Sequence, residues 1–215
     1  MESKALPLVV GAAGPDRERL VARARLLAWL GIGWHAIEAA IAVGAGIAAS
    51  SIALIGFGAD SVIESIAGFV LIWRFGASRH ASEAAEQRAH RLIGVSFWVI
   101  AAYVAVEAVR QLAGGTHPKT SWIGIGLALV TLVTMPSLAR AKAKVAESLG
   151  SAATKAEGRQ NMLCAYLSAG LVVGLGANAL FGWWWADPAA ALLIATAAVR
   201  EGREAWRGDP CCDAC

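Results

Sequence analysis

Apolar residues gather into six stretches, at about 26–47, 52–73, 92–113, 121–139, 161–181 and 183–203, and the segments between them return to Gly, Ser, Lys, Arg and Glu. About 20 consecutive apolar residues in a helix cross a ~30 Å hydrocarbon layer. A segment in lipid must be helical, because its backbone has no water to bond. The pattern predicts an all-α polytopic membrane protein with six transmembrane helices. The sixth stretch is the least apolar for its length, but Asp187-Pro188 offers a capping residue ahead of a proline in the first helical turn. The segment Arg140–Gln160 is rich in Ala, Lys and Glu and predicts a solvated helical loop. No internal repeat stands out.

Charge sets the orientation. Of the 19 Lys and Arg residues, only Arg110 and Lys119 fall on one side of the predicted spans. The rest occupy the N-terminal arm, the two long connections around Arg79 and Lys144, and the end of the chain. Basic residues collect on the cytoplasmic side, so both termini are expected there. The outer connections are short: Gly44–Ser51, Gly114–Ser121 and a bend at Gly182. Trp183, Trp184 and Trp185 crowd that bend, and they, Trp122 and Trp73 suit the lipid–water interface. Gly170 and Gly174 sit one turn apart on the fifth stretch, and Gly56, Gly68 and Gly76 mark the second and its exit. Small residues let helices approach closely in lipid. The chain divides into a cytoplasmic arm (1–25), one transport-sized membrane domain (26–205) and a short tail (206–215). The run Ala5–Ala13 after Lys4 is too brief for a signal peptide and belongs to the arm.

Composition agrees and narrows the class. The 215 residues are 57% hydrophobic and 16% charged, with a mean hydropathy of +0.56, against about 45–50% and 25% for a soluble domain. The net charge of +3 reflects basic loops; no dense Lys/Arg tract suggests nucleic acid. Cys164 lies inside a span, while Cys211, Cys212 and Cys215 pack the tail, where they would serve metal loading or be incidental thiols; none suggests a disulfide framework. A zinc protease needs His-Glu-x-x-His and a serine hydrolase Gly-x-Ser-x-Gly. Neither run occurs, His35, His80, His90 and His117 are scattered, and no enzyme and no resident cofactor is expected.

Four acids lie well inside predicted spans, away from their ends: Glu38, Asp60, Glu64 and Glu107. Each ionised carboxylate at mid-membrane costs at least ~2.5–3.5 kcal/mol, so it needs a partner or a function. Glu107 has a partner, Arg110, one turn away and near the outer end of its span. Glu38, Asp60 and Glu64 have no Lys or Arg within a turn. Asp60 and Glu64 are four apart on one helix face, with Cβ atoms about 5–6 Å from each other. A divalent cation between them would relieve their repulsion. His35 lies one turn from Glu38 and offers an imidazole. On the fifth span, Asn161, Cys164 and Ser168 share a face, and a thiolate suits zinc, cadmium or cobalt.

The stretch SIALIGFGADSVIES, with Asp60-Ser61-Val62-Ile63-Glu64, and the stretch GWWWADPAAALLIA from Gly182 are similar to the second- and sixth-span motifs of the cation diffusion facilitator family of divalent-metal/proton antiporters. The resemblance covers about residues 26–205 and includes six spans with both ends inside. It departs in three places. The family's fifth-span His-x-x-x-Asp falls on Asn161 and Ala165 in one register, or on Cys164 and Ser168 in the other. Glu64 stands where an Asp is usual. The chain ends shortly after the sixth span, so it resembles a form without the family's cytoplasmic domain.

The resemblance implies metal/proton exchange in a homodimer within the lipid bilayer (the inner membrane in a prokaryote). The metal-ligand candidates are Asp60, Glu64, Glu38, Cys164, Asn161, His35 and Ser168, with Glu38 and His35 compensating for the missing fifth-span acid. Zinc is the first expected cargo, ahead of cadmium, cobalt, iron or manganese. The rivals are a proton-coupled exporter of organic cations, for which Glu38 would be the acid, and a non-transporting metal sensor.

Overall fold

The computed structural model describes residues 15–76, 83–114 and 117–207. The first 14 residues of the arm and the tail with Cys211, Cys212 and Cys215 lie outside the described residues. Those described form six α-helices and no strand: α1 (Pro15–Ala49), α2 (Ile52–Gly76), α3 (Glu83–Leu112), α4 (Trp122–Leu149), α5 (Ala152–Phe181) and α6 (Ala186–Arg207). Helices α1, α3, α4 and α5 are long and apolar enough by themselves to cross a membrane. Large apolar side chains such as Ile37, Val99, Val133, Val173 and Leu193 are exposed on the outside of the bundle. Such a surface is unsuited to water, and the chain is an all-α, multi-pass membrane protein.

Local chemistry ends each helix. Ser50 takes a left-handed conformation (φ 55°) after α1, and Ser51 N–H closes back on Gly46 O at 2.9 Å. The Ser51 hydroxyl then accepts from Leu54 N–H at 3.1 Å to cap α2. Ser121 and Ser151 cap α4 and α5, and Gly150 (φ 62°) and Gly182 (φ 67°) supply the left-handed C-terminal caps.

These caps make the connections tighter than the hydropathy pattern suggests. Helix α1 runs to Ala49, so the expected loop from Gly44 shrinks to Ser50–Ser51. Gly46 lies in the helix, where a Cβ would come within 2.9 Å of Ile55 N. The segment 140–160 is almost wholly helical, split between α4 and α5, and it is not uniformly solvated: Lys142 is buried. Helix α1 starts at Pro15, inside the expected arm.

Three pairs, α1–α2, α4–α5 and α3–α6, pack most extensively. Contacts α1–α4, α5–α6 and α2–α3 close a ring, and α2–α6, α2–α5 and α1–α5 cross it. Glycines enable some crossings: a Cβ on Gly174 would meet Ala190 Cβ at 2.7 Å, and one on Gly68 would meet Ile32 Cγ1 at 2.9 Å. Gly170 faces open space, so only one residue of that pair marks an interface.

Candidate metal centre

The crossing of α1, α2, α4 and α5 brings the intramembrane polar residues to one place. His35, Glu38, Asp60, Glu64, Asn161 and Cys164 are each at most 7% exposed. His35 is the hub. Its Nδ1 lies 3.0 Å from Glu64 Oε2 on α2 and 3.2 Å from Glu38 Oε2 on its own helix. Its Nε2 lies 3.3 Å from Asn161 Nδ2 on α5. One donor atom each from His35, Glu64 and Cys164 fall within 4.8 Å of one another. Ligands at zinc's usual bond lengths of about 2.0–2.3 Å stand roughly 3.3–3.8 Å apart in a tetrahedron, so a small contraction would suffice to enclose such an ion.

Glu38 differs from the other acids. It is fully buried and surrounded by donors from three other helices. Thr131 of α4 donates to its Oε1. Its Oε2 accepts from Ser61 Oγ of α2 at 2.9 Å and from the Cys164 thiol of α5 at 3.7 Å. With His35 beside it as well, its lone pairs are occupied by protein.

Asp60 Oδ2 and Asn161 Oδ1 show the opposite condition: each is buried without a hydrogen-bond partner, and Glu64 Oε2 faces the His35 imidazole. Buried polar atoms are normally paired, and an orphaned carboxylate oxygen in a low-dielectric interior is costly. All three oxygens are acceptors, the kind of atom a cation satisfies. Glu64 Oε1 is held separately by Gln160 Nε2 at 2.6 Å. Asn161 Nδ2 also donates to Met135 Sδ at 3.1 Å. The amide oxygen is thereby left free.

Two further residues have contacts that the sequence does not show. Ser168 is buried, and its hydroxyl donates to Cys164 O, one turn back on its own helix, at 2.8 Å. Asp187 lies within the first turn of α6, and the bonds of its carboxylate go to another helix in place of the expected cap. It reaches across to α2, accepting from Ser51 Oγ at 2.5 Å and from Ala53 N–H at 3.4 Å. The expected pair is present: Arg110 Nη1 lies 2.6 Å from Glu107 Oε1.

The family model of the cation efflux transmembrane domain matches residues 28–207. The chain belongs to the cation efflux family. It is a cation efflux transporter, and the matched span takes in every candidate ligand. No curated protein matches it. The sequence alone missed three side chains that shape this transporter's polar centre: Ser61, Thr131 and Gln160. Ser61 was legible as part of the Asp-Ser motif, and Gln160 as the neighbour of Asn161. Thr131 gave only the weak signal of a hydroxyl in an apolar stretch.

Proposed function

We propose that this cation efflux protein exports a divalent metal ion, zinc before cadmium, cobalt, iron or manganese, in exchange for protons. The single observation that carries the proposal is the pair of orphaned acceptors, Asp60 Oδ2 and Asn161 Oδ1, beside the Glu64 carboxylate, an imidazole and a thiol. Asp60 and Glu64 supply charge, His35 and Cys164 supply borderline-soft donors, and Asn161 adds a neutral oxygen. A mixed N, O and S set suits zinc-like ions better than magnesium or calcium, which take oxygen alone. Glu38, its lone pairs already occupied, orients His35 and Cys164 and stays off the ion. Residues 26–205 act as one transport domain, and homodimerisation belongs to the same reading.

The cargo would shed water as the ligands take its place, and rocking of the helices would then expose it to the outer face. Ligands must lose protons to hold metal. Protons arriving from outside therefore compete for the same groups and drive release. The sign follows: zinc binding is retained at neutral and mildly alkaline pH and lost as pH falls and the ligands protonate.

Zinc flux into proteoliposomes, with and without an opposing pH gradient, tests both parts. Gradient-dependent zinc movement that Asp60→Asn abolishes supports the proposal. A variant moving zinc at the wild-type rate overturns the site, and flux indifferent to the gradient overturns the exchange. Transport of a quaternary ammonium dye in place of zinc would favour an organic-cation exporter.

A further inference from the structure

A second, largely enclosed ion pair lies just beyond the cluster. Lys142 Nζ of α4 is 3.1 Å from Glu157 Oε2 of α5, and the two side chains are 5% and 16% exposed. The ammonium presses on α1 as well: a Cβ on Gly31 would lie 3.0 Å from Lys142 Nζ. Gly31 precedes His35 by four residues and Glu157 precedes Asn161 by four, one helical turn or about 6 Å in each case. Both offsets point toward the cytoplasmic end assigned by the basic residues. The lysine head group therefore sits about one turn below the ligand level, where α1, α4 and α5 meet.

Stability does not call for this pair. Two buried charges gain little over well-packed apolar residues of the same size, because their desolvation consumes the Coulombic attraction. The α4–α5 hairpin is already fixed without it, by Gly150 and by the Ser151 cap. Gly158 tightens it further, since a Cβ there would lie 3.3 Å from Ala139 O. What the pair contributes is charge at a particular place. An ammonium one turn to the cytoplasmic side of the cluster repels a cation arriving from that side, and the carboxylate beside it is an anionic ligand such a cation would meet before the cluster.

We propose that Lys142 is a built-in cation that closes the cytoplasmic approach to the metal centre, and that Glu157 is the carboxylate that receives an incoming divalent ion once the pair parts. The inference rests on the cluster being the site of the transported ion. In the closed arrangement the ammonium takes the position an ion would use, and Gln160 holds Glu64 Oε1 at 2.6 Å. When the helices rock, Lys142 withdraws and Glu157 is uncovered. One acid is thereby shared between a resident and a travelling cation.

The test is zinc uptake by inverted membrane vesicles, which present the cytoplasmic face outward, measured against zinc concentration for the wild type, K142M, E157Q and the double variant. The expected shifts have opposite signs. K142M lowers KM about threefold or more by uncovering Glu157. E157Q raises it about tenfold, because an unpaired positive charge then stays in the approach. The double variant falls between the two. Should E157Q fail to accumulate, K142M and the double variant give the same sign: removing Glu157 in the K142M background raises KM. Shifts of the same sign, or flux losses that merely follow a fall in Tm and recover in the double variant, overturn the inference and leave a structural tether. Absence of zinc uptake in the wild type overturns the metal-transport reading along with it, whereas wild-type uptake with same-sign shifts overturns this inference alone.

Discussion

Asp187 and Asp60 are both buried carboxylates in one bundle, 0% and 4% exposed, yet their surroundings oppose each other. Asp187 sits where α2 begins and accepts from Ser51 Oγ and Ala53 N–H. Free backbone N–H groups and the positive end of a helix dipole meet its charge there. Asp60 sits two turns farther along α2, one turn from Glu64, and its Oδ2 meets no donor. The outer end around Asp187 is tied by further bonds between helices and connections, Gln111 Nε2 to Ser50 O at 3.0 Å and Asn178 Nδ2 to Pro118 O at 3.1 Å, and the acceptor left unpartnered there, Gln111 Oε1, is a neutral amide oxygen. The middle of the bundle is polar but left incomplete. Burial of an acid among membrane helices therefore says little about its role until its acceptors are counted, and four acids in this chain form a series by that count.

The largest effect is expected at the least satisfied acid. Asp60→Asn should lower zinc flux by more than about 100-fold, beyond the 10- to 100-fold typical for a partner that only orients a ligand. Because it removes an unpaired buried charge, Tm in detergent should hold or rise. A variant that loses flux only in step with a falling Tm would place Asp60 with Asp187, as a structural residue.

Glu38→Gln comes next. The amide replaces one acceptor oxygen with a donor facing Thr131, Ser61, His35 or Cys164, so on the proposed assignment the ligands lose their orientation although none of them is removed. Flux should fall about 10- to 100-fold. Cobalt bound in place of zinc should keep the thiolate-to-metal absorption that Cys164→Ser removes. Loss of that absorption in Glu38→Gln, at saturating cobalt, would make Glu38 indispensable to the coordination sphere.

Asp187→Ala should reverse the pattern. It leaves the Ser51 hydroxyl and the α2 N-terminus short of an acceptor, a cost of about 1–3 kcal/mol, visible as a lower Tm. Zinc flux per folded molecule should stay at the wild-type level. A flux loss exceeding the loss of folded protein would extend the transport machinery to the outer end.

The series was only half legible in the sequence. The spacing of Asp60 and Glu64 and the pairing of Glu107 with Arg110 both lie within one helix, and helical periodicity exposes such relations directly. Partners on other helices are invisible to it. Thr131 reaches Glu38 across 93 residues, and Ser51 reaches Asp187 across 136. His35, on sequence only an optional imidazole beside Glu38, becomes the hub because α2 and α5 bring Glu64 and Asn161 to its two nitrogens. Helix existence was similarly plain from hydropathy, whereas the tight α1–α2 turn depended on Ser50 accepting a left-handed backbone that serine rarely adopts.

Glu107 closes the series with the smallest effect. Its Oε1 is 2.6 Å from Arg110 Nη1, and the two side chains are 28% and 71% exposed. Both belong to one helix, three residues apart, so the contact forms whenever α3 forms and holds no other element in place. Exposed pairs of this kind are worth about 0.2–0.5 kcal/mol. Glu107→Gln should therefore shift stability by no more than about 0.5 kcal/mol and leave zinc flux unchanged in the same vesicles that register Asp60→Asn. A deep flux loss at Glu107, with Tm intact, would show that an acid already paired on its own helix can still serve the ion. Counting orphaned acceptors would then no longer separate transport residues from structural ones in this chain.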